Sequence, residues 1–96
     1  MDIAHALKMA LATGRVKIGL RETRDSIRSR QAKIVIVSRS CPDPVLLRES
    51  KVDGIPVYHF EGSAVELGAS CGKPFPISSL AVLDAGSSNL LSLETS

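Results

Sequence analysis

The spacing of apolar residues changes repeatedly along this chain, and each change marks an element. Ile3, Leu7, Ala10 and Leu11 fall on one face at helical spacing, behind an aspartate, Asp2, that can cap the helix. Gly14 follows Thr13 where a C-terminal glycine is expected. "RVKIG" predicts a short strand. "RETRDSIRSRQ" predicts a helix that is mostly polar, with Ile27 as its main apolar anchor. "KIVIV", Lys33 to Val37, is a continuous apolar run, the pattern of a strand covered on both faces. "SRSCPDP" is a loop whose prolines and aspartate open a third, short helix over roughly Val45 to Lys51. "GIPVYHF", Gly54 to Phe60, is the next strand. Ser63 and Glu66 form a capping box, so a fourth helix begins near Ala64. Ala64, Leu67 and Cys71 share one of its faces, Gly68 marks a close backbone approach, and Gly72 ends it. "KPFPI" is a stiff loop, "SSLAVLDAG" the last central strand, and "NLLSL" (Asn89 to Leu93) a further edge strand.

Helix and strand alternate throughout. This predicts an α/β chain, a three-layer α/β/α sandwich around a central mixed sheet of four to five strands. With 96 residues, one domain spanning 1–96 is expected. Ligands of such sheets gather where strands lead into helices. Two junctions qualify: Gly19–Thr23 and Ser38–Asp43.

Composition narrows the class. Apolar residues make up 44% and charged residues 23%, which suits a globular chain. No apolar run approaches the ~20 residues that span a bilayer, so no membrane partner is expected. The opening "MDIAHALKMA" begins acidic and carries Lys8 within its apolar stretch, unlike a secretory leader. A cytoplasmic location is therefore expected, with Cys41 and Cys71 reduced. These cysteines lie in no CxxC, and a zinc site would have to gather them with His59 from three separate elements. No metal and no cofactor are expected.

Catalytic chemistry finds little support. "GASCGKP", Gly68 to Pro74, looks like a phosphate-binding loop but is one residue short. It places Pro74 where a magnesium-binding hydroxyl is needed, and it follows a helix instead of leading into one. No GxGxxG supports a dinucleotide. His5 and His59 read as surface or packed residues, and the carboxylates are scattered as caps, turn residues and surface charges. An enzyme with a small-molecule substrate is thus the weakest reading.

The basic residues say more. Net charge is only +2, so their distribution matters more than their sum. Arg21, Arg24 and Arg28 share one face of the second helix. The plain reading is a solvated face with Asp25 partnering Arg21 or Arg28. Yet Arg21 stands at the helix N-terminus, where the dipole disfavours a cation. That placement makes sense if an external anion is shared between the guanidinium and the free first-turn amides. Arg39 stands in the neighbouring strand-end loop, and Lys73 beside Phe75 in the proline-stiffened loop. Cations, hydroxyls and an aromatic in three loops suit RNA, with phosphate contacts for affinity and a ring for an unstacked base.

Four segments, "KIGLRETRDSI", "AKIVIVSRS", "GIPVYHFEGSAVELGASCGKPF" and "SSLAVLDAG", stand in an order and spacing that resembles a known family. This is the archaeal–eukaryotic large-subunit ribosomal protein thirty family, within the L-seven-Ae kink-turn-binding superfamily. The resemblance implies RNA binding without catalysis and residence in the ribosome, with large-subunit ribosomal RNA and neighbouring ribosomal proteins as partners. It also implies an RNA surface of three loops. The first corresponds to Gly19, Leu20, Arg21, Glu22 and Thr23, the second to Ser38, Arg39 and Ser40, and the third to Lys73, Pro74 and Phe75; Arg24 and Arg28 extend the first along its helix. The family often has an aromatic or amide residue where Leu20 stands and usually asparagine at Ser40, and a serine hydroxyl cannot make a bidentate amide contact with a base edge. A non-ribosomal RNA-binding adaptor of the same superfamily is the alternative.

Overall fold

The computed structural model describes residues 2–91. In chain order the elements are α1 (Ile3–Thr13), β1 (Arg15–Ile18), α2 (Leu20–Arg28), β2 (Ile34–Val37), α3 (Pro44–Arg48), β3 (Lys51–Val52), β4 (Ile55–His59), α4 (Ala64–Ser70) and β5 (Ser79–Asp84). The strands form one sheet in the order β1-β5-β2-β4-β3. β2 and β4 run parallel, and the other neighbours pair antiparallel. The fold is therefore α/β with a mixed five-stranded sheet, as expected. Among the described residues, no helix is long and apolar enough to cross a membrane.

Local chemistry explains where the helices start. The Asp2 carboxylate accepts the His5 amide, and Asp43 accepts the amides of Val45 and Leu46. Ser63 and Glu66 form the reciprocal capping box that their spacing implies. α2 differs from the other three: its N-cap is Gly19, which offers no side chain.

β2 is buried throughout and β5 up to its exposed last residue, Asp84, because both of their faces are covered. Ile34, Ile36, Leu80 and Val82 pack with Ala6, Leu7 and Ala10 of α1 and with Leu67 of α4. The alternate residues, Val35, Val37, Ala81 and Leu83, pack with Ile27 of α2 and Leu46 of α3. The approach expected at Gly68 is real. A Cβ there would fall on the carbonyl oxygen of Phe75 in the loop that follows α4.

Three boundaries differ from the expected ones. α2 stops at Arg28 instead of running to Gln31, because Arg30 turns left-handed at φ 59° and the amides of Gln31 and Ala32 both return to the Ser26 carbonyl. α3 ends at Arg48, and Lys51–Val52 forms a strand paired with Pro56 and Ile55. The hairpin closes through Asp53 and Gly54, both at positive φ, a strong two-residue turn signal. In place of an edge strand over Asn89–Leu93, Leu90 and Leu91 make a 3₁₀ turn that buries Leu90 beside α1, while Ser92 and Leu93 lie outside the described residues.

Candidate RNA interface

Strand register brings the two predicted junctions to one end of the sheet. Ile18 pairs with Leu80, and Val37 pairs with both Ser79 and His59. The exits of β1, β2 and β4 therefore surround the entrance of β5. Backbone bonds fasten them together. The Gly19 amide donates to the Ser79 carbonyl at 2.9 Å, and the Ser38 amide and hydroxyl both donate to the Ser78 carbonyl, at 2.9 and 3.0 Å. The Arg39 amide donates to the Gly62 carbonyl at 2.8 Å.

At the first junction Gly19 adopts φ 106° and ψ 158°, a region essentially restricted to glycine. Nothing lies within 4 Å of the position a Cβ would take, so the backbone conformation and not crowding demands glycine. The Thr23 amide returns to the Gly19 carbonyl at 2.9 Å. The amides of Leu20, Arg21 and Glu22 have no hydrogen-bond partner among the described residues. Arg21 and Glu22 are exposed, and Leu20 is half-buried against the α2–α3 core.

The three arginines of α2 do not act as one stripe. Arg24 Nε binds Asp43 Oδ2 at 3.1 Å, and Arg28 pairs with Asp25 at 3.3 Å. Arg21 has no ion-pair partner among the described residues. Burial pushes the Asp43 carboxyl up, but the amides of Leu46 and Val45 and the Arg24 guanidinium outweigh it, and the group is held below its ordinary value. Arg24 thus serves the cap of α3, and Thr23 is fully buried. The Thr23 side chain has no surface to offer a ligand.

At the second junction Ser38 is buried, while Arg39 and Ser40 are exposed. Ser40 Oγ accepts the Ala64 amide at 3.4 Å, tying this loop to the start of α4. A hollow of about 110 Å³ opens beside it, lined by Val37, Ser38, Arg39, Leu47, His59 and Phe60. His59 is a neighbour that sequence reasoning left out of the site. Its Nε2 lies 2.9 Å from the Leu46 carbonyl, within α3. The signal was its position at the end of a strand in parallel register with Val37.

The third loop is spread along α4 and not gathered at the sheet end. The Lys73 amide donates to Gly68 beyond the C-terminal end of the helix, and the Ile77 amide donates to Ala64 at its start. Lys73 therefore stands at the end of α4 remote from Ser40. Phe75 lies between, 48% exposed. With Val65, Ala69, Lys73, Pro74 and Pro76 it lines an open apolar hollow of about 250 Å³.

The cysteines are free and buried. Burial pushes the Cys71 thiol up to about 11 against the pull of Lys73, and burial also raises Cys41, so neither is a reactive thiolate. No group of three or more metal-ligating side chains occurs among the described residues.

Comparison with known proteins identifies the family. Residues 1–92 match the model of the ribosomal protein L7Ae/L30e/S12e/Gadd45 family. A protein of Methanospirillum hungatei named large ribosomal subunit protein eL30 is 44% identical, over 97% of this chain and 98% of that protein. Proteins of the same name from Pyrobaculum calidifontis and Methanosarcina mazei are 41% and 38% identical, covering 97% and 95% of this chain and 95% and 87% of their own lengths. Matched across nearly its whole length by both the family model and its relatives, the chain belongs to the ribosomal protein L7Ae/L30e/S12e/Gadd45 family, which is not a family of enzymes.

Proposed function

We propose that this protein is a structural constituent of the large ribosomal subunit that holds a bent, kink-turn-like element of ribosomal RNA. One observation carries the reading: the N-terminus of α2 presents three amides behind a glycine held at φ 106°, with Arg21 on the same turn, and none of these groups has a partner among the described residues. Such a terminus attracts phosphate oxygen through both its dipole and its free N–H groups. Arg39 adds a second cation at the same end of the sheet, and the exposed ring of Phe75 adds a surface for a base. The names of the relatives support a role in the large subunit, with cytoplasmic ribosomes as the expected location. Crosslinking in cells followed by sequencing of the attached RNA tests the partner; RNA other than large-subunit ribosomal RNA as the main product would overturn it.

Binding to a bent RNA duplex is expected to weaken steeply with salt. With about four phosphates neutralised, log K should fall against log salt with a slope of roughly −3 to −4. A flat dependence in a titration series would remove the phosphate component.

Phe75→Ala is expected to weaken RNA binding at least about tenfold, because base stacking on an aromatic ring contributes about 1–3 kcal/mol. The melting temperature should hardly move, since half of the ring is already in water. Lost stability with unchanged affinity would mean that the ring covers α4 and does not touch RNA.

A further inference from the structure

Two hydroxyls are sealed inside this protein at the base of the α2 turn. Thr23 and Ser79 have no exposed surface. Ser79 Oγ donates to Thr23 Oγ1 at 3.1 Å, and Thr23 Oγ1 donates to the Gly19 carbonyl at 2.7 Å. The same carbonyl accepts the Thr23 amide at 2.9 Å. On its other side, the Gly19 amide donates to the carbonyl of Ser79, also at 2.9 Å. The bonds close a ring from Ser79 through Thr23 and Gly19 back to Ser79.

The ring matters because of what it encloses. The Gly19 N–H and C=O belong to the two peptide groups on either side of its φ and ψ. Glycine has the widest conformational choice of any residue, so its own sterics do not hold φ at 106°. The amides of Leu20, Arg21 and Glu22 aim wherever those two peptide groups aim them.

We infer that Thr23 and Ser79 are positioning residues for RNA binding, a buried hydroxyl pair that locks the Gly19 turn in the orientation that presents its amides to phosphate. The inference rests on the proposed RNA reading. Neither hydroxyl touches RNA; both act through the Gly19 backbone.

The test uses purified full-length protein and a kink-turn RNA duplex, titrated well below the melting temperature. Thr23→Val keeps the shape of the side chain but removes both the donor to Gly19 and the acceptor for Ser79. Thr23→Ser keeps the hydroxyl and loses a buried methyl. Thr23→Val, which leaves the buried Ser79 hydroxyl unpaired, should weaken binding about tenfold, and Ser79→Ala, which removes the bond that orients Thr23 Oγ1, should weaken it to the same extent. Thr23→Ser should stay within about threefold of wild type, and the double variant Thr23→Val/Ser79→Ala should be no weaker than either single one, because both break one linkage. Ser79→Ala removes a single oxygen and carries the test if Thr23→Val does not fold. A packing role would give the opposite order, with the valine variant binding like wild type and the serine variant impaired; that result overturns the inference while wild-type binding leaves the RNA reading standing. Wild-type protein that fails to bind the duplex overturns the RNA reading, and this inference with it.

Discussion

Replacing Arg21 by alanine should weaken RNA binding roughly tenfold to a hundredfold, the range expected for losing a hydrogen bond to a charged partner. Replacing Arg30 by alanine should cost less than about threefold. Both changes remove one positive charge, so the long-range field falls equally. They differ in place. Arg21 belongs to the first turn of α2, beside the unpartnered amides, and has no carboxylate partner among the described residues. Arg30 lies beyond the other end of that helix, in a left-handed turn. A guanidinium and backbone amides sharing one phosphate depend on position, whereas general attraction does not. Equal losses in the two variants, read from titrations at one fixed salt concentration, would mean that the α2 N-terminus is not the docking site.

The largest effect on stability is expected at Gly68. Its added Cβ would coincide with the Phe75 carbonyl oxygen, and that obstacle is backbone, not a side chain that can swing aside. Gly68→Ala must therefore push α4 away from the returning loop. Overpacking of this kind costs typically 1–3 kcal/mol, so a loss of about 2–3 kcal/mol is expected. For a domain of this length the melting temperature should fall by roughly 10–20 °C. A thermal melt followed by circular dichroism measures it directly; a variant melting within a few degrees of wild type would mean that the contact is loose. The same displacement would carry Phe75 out of place, so RNA binding should suffer with stability here, unlike in Phe75→Ala.

Much of the fold was legible because its signals are local. Asp2, Asp43 and Ser63 cap helices through bonds to amides two or three residues away. "KIVIV" announces burial on both faces by its lack of polar positions. Lys51–Val52 escaped notice since two residues are too few to show alternation, and the Asp53–Gly54 turn was the only mark they left. In the candidate site the division is sharper. Gly19 and Arg21 announce the turn at once. The withdrawal of Arg24 could not be read, because its partner Asp43 is nineteen positions away and meets it only when the caps of two helices come together. Thr23 and Ser79 are separated by 56 positions, and a threonine in a polar helix gives no hint that it is sealed from water. Lys73 and Phe75 were rightly placed in a stiff loop, but the direction in which that loop runs along α4 is set by tertiary bonds at Gly68 and Ala64.

The strand order has a consequence for synthesis. β1 and β2 are not neighbours; β5, the last strand among the described residues, lies between them. A nascent chain that has emerged only as far as α4 holds both junction loops in sequence but has nothing to set them side by side. The amides of Gly19 and Ser38 donate to the carbonyls of Ser79 and Ser78. On the proposed RNA reading, the protein would become competent for RNA late and all at once, when β5 slots into the sheet. Fragments released early would carry the arginines without that geometry, so on the same reading an unfinished chain would be a poor competitor for the RNA of the finished one.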